Sequence, residues 1–168
     1  MSGFEGNDHT PQTDAYFARL LAESGLRADR YDVVAFGSDE ATQDELAGLV
    51  LHGPKRATTS ALRDYRPGGP EGERVPQSGD HCVVVDGHDT PRAVYRSTRV
   101  DIVRFGDVDE AFAWDEGEGD RSLADWREGH IRYFARDAAR AGWVFDEDTE
   151  VVLERFTVVW PPEVADPA

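Results

Sequence analysis

His81-Cys82-Val83-Val84-Val85-Asp86-Gly87-His88-Asp89-Thr90-Pro91-Arg92-Ala93-Val94-Tyr95 decides the fold of this chain. The run from His81 to Asp86 is nearly continuous in apolar residues and reads as a strand. Gly87-His88-Asp89 turns it into the next strand, residues 91–103. There Ala93, Tyr95, Ser97 and Arg99 alternate with Val94, Arg96, Thr98 and Val100, the period of a strand. Strands joined by so short a turn pair antiparallel, because a parallel pair needs a crossover of about a dozen residues or more.

Working outward, helical patterns flank these strands. Pro11 to Gly25 reads as a helix, with Thr13 or Asp14 able to cap it and Phe17, Leu20 and Leu21 on one stripe. Tyr31 to Phe36 is a short apolar segment, strand or extended. A second helix runs from near Asp39 to His52, with Leu46, Leu49 and Val50 at helical spacing. Residues 57–62 are a strand and Pro67 to Ser78 a Gly/Pro-rich loop. Asp107 to Trp114 reads as a short helix, Glu116 to Arg121 as a glycine-broken acidic loop, and Ser122 to Ala141 as a longer helix. Residues 150–159 form the last strand. The order helix, strand, helix, strand cluster, helices, strand does not make a doubly wound parallel sheet. It predicts an α+β fold: a small mixed or antiparallel β-barrel with helices packed at its openings. The expected division is a disordered N-terminus over 1–10, one domain over 11–160 and a loose tail over 161–168.

Composition narrows the function. The 168 residues are 39% hydrophobic, enough for one ordinary core. The single cysteine, Cys82, excludes an internal disulfide and sits in an apolar run, so it reads as core. Neither a membrane-length apolar run nor a signal peptide is visible, which makes the cytoplasm the expected compartment. The formal charge of −16 argues against holding long duplex nucleic acid by its phosphates, since such binding rests on Lys and Arg displacing counterions. A small basic pocket within an acidic surface remains compatible with it.

One stretch stands out for chemistry: His52-Gly53-Pro54-Lys55-Arg56-Ala57-Thr58-Thr59-Ser60. Lys55 is the only lysine among 18 basic residues. A buried lysine amine can lose its proton, which a guanidinium does not. Gly53-Pro54 stops the preceding helix, so Lys55 emerges where a helix hands over to a strand. An amine there can take the proton of a nearby hydroxyl, the logic of Ser-Lys and Thr-amine hydrolases. Thr58 is the first candidate and Thr59 the competitor; the plain alternative for both is strand filler. Glu116, Glu118 and Asp120 are available to hold the amine. Arg121 and Ser122 open a helix, where an anion or a carbonyl oxygen is well received, although loop closure and capping explain them equally. Trp126 can stack on a base, but its spacing from Leu123 and His130 also fits the core.

Other chemistries find no support. His9, His52, His81, His88 and His130 show no ligand spacing with one another or with Cys82, so no zinc site is expected. Asp115 to Asp120 lacks the full pattern of a calcium loop. Phosphate-binding glycine loops and the Gly-x-Ser-x-Gly elbow are both missing, and no cofactor is expected.

Three stretches together resemble the bacterial ASCH domain family of the PUA-like superfamily. They are Ala35-Phe36-Gly37-Ser38 with its acidic helix, Gly53-x-Lys55-x-x-Thr58, and Glu116-Gly117-Glu118-Gly119-Asp120-Arg121-Ser122-Leu123-x-x-Trp126-Arg127. The resemblance implies a β-barrel with helices at its mouth and a cleft beside the Gly-x-Lys motif; the N-terminal helix is an addition to it. It also implies RNA-derived ligands. Some relatives are amidohydrolases that deacetylate acetylcytidine with a lysine, a threonine and a glutamate; others are ribonucleases. Lys55 and Thr58 match that motif position by position, and Glu118 is the closer of two glutamates to Asp120-Arg121-Ser122. The expected catalytic set is therefore Lys55, Thr58 and Glu118. Arg56, Thr59, Tyr65, Arg121, Ser122 and Trp126 are the expected substrate contacts, with Arg121 aiding an oxyanion and no metal. The expected ligand is a nucleoside or short single-stranded RNA. A binding module without catalysis and a metal-dependent ribonuclease are the alternatives.

Overall fold

The structure is a computed structural model and describes residues 9–168. The disorder expected for residues 1–10 lies, for residues 1–8, outside the described residues. Helix α1 (Pro11–Ser24) is capped by Thr10, not by Thr13 or Asp14. The Thr10 side chain accepts from the Thr13 amide, Thr13 Oγ1 accepts from the Thr10 amide, and Pro11 occupies the first turn, where its missing N–H costs nothing.

The remaining elements are β1 (Asp32–Val34), α2 (Glu40–His52), β2 (Ala57–Ala61), β3 (His81–Val85), β4 (Pro91–Arg104), α3 (Glu110–Glu116), α4 (Leu123–Ala141) and β5 (Glu150–Trp160). The strands form one sheet in the order β1-β3-β4-β5-β2. All neighbours are antiparallel except β1, which runs parallel to β3. The hairpin read from His81 to Tyr95 is its centre. β4 and β5 pair along most of their length, with register slips between Val94 and Tyr95 and between Ser97 and Arg99. Such bulges add twist and bend a ribbon, and the sheet curls into a half-barrel.

Strand alternation then assigns the faces. Val83, Val85, Val94 and Trp160 pack with Phe17 and Leu20 of α1. Cys82, Val84, Tyr95 and Phe156 pack with Phe36 and with Ala47 and Val50 of α2. This double burial is why Cys82 to Val85 is apolar at every position. Ala57, Ala61, Val151 and Leu153 form a third cluster with Phe105, Phe112, Trp126 and Phe134 beneath α3 and α4. Each large apolar side chain buried here contributes about 1.5–3 kcal/mol.

Two boundaries shift against the sequence reading. Phe105–Asp107 is a single 3₁₀ turn, and α3 begins only after Asp109, whose carboxylate accepts from the Phe112 amide. α3 therefore ends at Glu116, which sits on a helix rather than in a loop. The tail, expected to be loose, is tied down: both Asp166 carboxylate oxygens receive Arg56, at 2.8 and 2.9 Å, and Oδ2 also accepts the Val158 amide. A bidentate guanidinium–carboxylate pair holds geometry that a flexible tail lacks. Among the described residues no helix is long and apolar enough to cross a membrane.

Candidate active site

Gly53 and Pro54 end α2, and the chain turns into β2 through Lys55. α3 meets this turn from the far side. The Arg56 amide donates to the Asp115 carbonyl at 2.9 Å, and Gly117 follows with φ +72°. A Cβ on Gly117 would lie 2.5 Å from the Pro54 carbonyl oxygen and 2.7 Å from the Lys55 amide nitrogen. Only glycine permits both this backbone sense and this approach. The contact brings Glu116 and Glu118 to Lys55.

Lys55 is 1% exposed. Its Nζ donates to the Ala57 carbonyl at 2.9 Å and to Glu118 Oε2 at 3.0 Å, lies 3.9 Å from Glu116 Oε1, and sits 4.8 Å from the centre of the Phe36 ring. A buried ammonium needs paired charge and hydrogen-bond acceptors, and here it has both.

The two glutamates differ in kind. Glu116 is buried, and its oxygens accept from Trp126 Nε1 at 2.6 Å, Thr59 Oγ1 at 2.8 Å and His130 Nε2 at 3.0 Å. Burial works against its charge, but the His130 and Lys55 charges and the His130 hydrogen bond outweigh burial and hold its carboxyl well below the usual range. His130 answers in the opposite sense. Burial favours its neutral ring, yet the charge and hydrogen bond of Glu116 raise its pKa. Glu118 is more open, with one third of its side chain exposed, and it faces the cavity. Burial and the neighbouring Glu116 push its carboxyl up, with Lys55 opposing. Glu116 is thus a buried anion with its oxygens taken up by neighbours, and Glu118 is the glutamate of the two that is open to the cavity.

These groups line a cavity of about 930 Å³ in the mouth of the half-barrel. α4 forms one wall with Trp126, Gly129, His130 and Tyr133, and β2 contributes Thr58, Thr59 and Ser60. Thr58 lies opposite Glu154 in the strand pair, and its hydroxyl has no hydrogen bond among the described residues. No direct hydrogen bond joins Lys55 to Thr58. Thr59, one position on, is committed to Glu116. Tyr65 reaches the cavity with its hydroxyl on Ser60 at 2.7 Å. Acidic side chains outnumber lysine and arginine along the walls, eight to five.

Three expected contacts fall outside. Arg56 turns away to Asp166 and to the Val50 and Lys55 carbonyls. Arg121 stacks 3.7 Å over the Trp114 ring and donates to the Trp114 carbonyl, and it is not among the residues that line the cavity. Ser122 caps α4 by accepting the Asp125 amide. In each case a local partner claims the side chain. Trp126 lines the cavity, yet it is buried and stacked on Phe105 and His130.

Sequence reasoning missed His130 and Glu154. His130 lies one helical turn after Trp126 and reads as part of the apolar face. Glu154 carried a usable signal: it shares a strand face with Val152, Phe156 and Val158, where an acid is out of place. Among the described residues no cluster of His, Cys, Asp or Glu could hold a metal ion. Cys82 is buried, and burial pushes its thiol well up, away from nucleophilic use.

A curled, largely antiparallel sheet with helices over its openings, and a lysine buried beside the cavity, defines a PUA-like fold. The chain belongs to the ASCH domain family, whose model matches residues 32–160. It is 32% identical to an ASCH domain from Lactobacillus crispatus JV V101, with a TM-score of 0.79, covering 90% of this chain and 96% of that one. It is 31% identical to a protein from Enterococcus faecalis V583, with a TM-score of 0.78 and 88% of each chain covered. No curated protein matches the chain.

Proposed function

We propose that this protein hydrolyses the amide of an N-acylated cytidine, using Lys55, Thr58 and Glu118. The observation that carries the reading is the buried Lys55 ammonium, bonded to Glu118 at the wall of a cavity that also holds the Thr58 hydroxyl. Glu118 can take a proton from the ammonium and leave an amine. That amine accepts the Thr58 proton as Oγ attacks the acyl carbon. Collapse of the adduct breaks the C–N bond, and the proton returns to the departing nitrogen. Water then hydrolyses the acyl-threonine, releasing the carboxylic acid and restoring Thr58. Glu116, held by His130, Trp126 and Thr59, keeps Lys55 in place. The acidic walls support a nucleoside in preference to RNA. A cytoplasmic setting, where free nucleosides occur, goes with this reading.

Acetylcytidine tests it, with released cytidine as the readout. Lys55→Arg keeps the charge but supplies no ready amine, and the expected loss is about 10²-fold or more. Unchanged turnover in that variant removes the amine mechanism. Cleavage of labelled RNA that a chelator abolishes would favour a ribonuclease instead.

A further inference from the structure

Glu154 is 7% exposed and lines the cavity. Its Oε1 accepts from the Tyr95 hydroxyl at 3.3 Å and its Oε2 from Ser97 Oγ at 2.5 Å. No lysine or arginine pairs with it among the described residues. A buried carboxyl with only hydroxyl partners has no opposite charge to offset the loss of water around its own, and two hydrogen bonds offset it only in part. The groups facing it do not help. Asp32 comes from β1, Cys82 from β3 and Tyr95 from β4, while Tyr65, Glu71 and Asp80 come from the loops. Burial therefore pushes its pKa up to about 7, with Asp32 and Asp80 adding and Ser97 and Tyr95 partly opposing. An apolar residue would serve this face of β5 as well as Val152 and Phe156 do, so packing alone does not account for an acid. Its register partner is Thr58, which puts the two Cβ atoms about 4.5–5.5 Å apart.

We propose that Glu154 reads the edge of an aminopyrimidine-type ring bound in this cavity: its carboxyl hydrogen goes to the ring nitrogen, and its other oxygen accepts the exocyclic N–H. Each carboxyl oxygen has room for a second hydrogen bond beyond the hydroxyl it already holds. A neutral carboxyl offers a donor and an acceptor side by side, the complement of a cytosine edge. An ionised one only accepts, and it repels the ring nitrogen lone pair. Pairing at Glu154 sets the exocyclic nitrogen, and any acyl group on it, beside Thr58. This inference rests on the reading of the cavity as a nucleoside site.

Equilibrium binding of cytidine, the deacylated product, tests it without turnover. For the wild-type protein, affinity should fall about tenfold between about pH 6 and about pH 8.5, as Glu154 ionises. Glu154→Gln presents the same donor and acceptor at every pH, so it should bind within about threefold of wild type at the lower pH and lose the pH dependence. Glu154→Leu, checked for folding by its thermal transition, should bind about tenfold or more weakly. Cytidine binding that ignores Glu154→Leu in a folded protein, a pH dependence that survives Glu154→Gln, or no cytidine binding by the wild type overturns the proposal. Cytidine binding through Glu154 without hydrolysis of acetylcytidine overturns the hydrolase and leaves the edge reader standing. Hydrolysis that is indifferent to Glu154 does the reverse.

Discussion

Glu116 serves Lys55, Thr59, Trp126 and His130 at once, and the site depends on that single buried anion. Removing it as Glu116→Ala leaves His130 without its counter-charge and Lys55 with Glu118 alone. The expected cost is about 3–5 kcal/mol of unfolding free energy, read by urea denaturation. A loss within about 0.5 kcal/mol, the range of an ordinary surface change, would contradict this role. The pair also sets a pH signature. His130 has its folded pKa raised above the ordinary 6.5, so its contribution is full below that value and is lost as pH rises through the folded pKa. Glu116 is lowered, so its contribution is present above the ordinary 4.5 and is lost as pH falls. Thermal stability from this pair is therefore greatest between those values and declines on the alkaline side. His130→Asn should flatten the alkaline decline, and an undiminished decline in that variant would reject the assignment. At this scale the sequence exposed Lys55 through composition alone, as the one lysine among arginines. It did not expose His130, because a histidine at helical spacing from a tryptophan looks the same whether it packs or pairs.

Among the elements, the closure of α3 onto the start of β2 builds the site, and Gly117 is its hinge point. Gly117→Ala must place a side chain in a left-handed backbone and against Pro54. A stability loss of about 1–3 kcal/mol is expected, together with reduced turnover, because Glu118 is displaced from Lys55. The neighbouring Ser122→Ala is the contrast. It removes a helix cap and should cost about 0.5–2 kcal/mol, yet leave cytidine binding unchanged, because Ser122 lies outside the cavity. Weakened binding in that variant would return Ser122 to the ligand contacts. The hairpin from His81 to Tyr95 and the Gly53-Pro54 stop were legible because they rest on local rules of turn and period. The end of α3 at Glu116 was not, because the run of glycines and acids after Trp114 reads as loop until the Lys55 turn packs against it. The Arg56–Asp166 tie was equally hidden, since it joins residues 110 positions apart.

For the whole molecule, net charge and cavity charge agree in sign. A chain at −16 with an acid-rich cavity should bind a neutral nucleoside with little dependence on salt, whereas a ligand held by its phosphates loses affinity steeply as salt rises. A steep salt slope for cytidine would contradict this picture. The family and the half-barrel were readable from the order of elements and three motifs, but the cavity was not. It forms where all five strands, α2, α4 and the loop before β3 converge, and no stretch of sequence holds it. That convergence carries the central proposal, that Thr58 and not Thr59 is the nucleophile, because both line the cavity but the Thr59 hydroxyl is committed to Glu116 while that of Thr58 has no hydrogen bond among the described residues. The direct measurement is acetylcytidine hydrolysis by Thr58→Ala and Thr59→Ala under identical conditions. The account predicts a loss of about 10³-fold or more for Thr58→Ala, as for other removed nucleophiles, and a much smaller loss for Thr59→Ala. Substantial turnover by Thr58→Ala would contradict it.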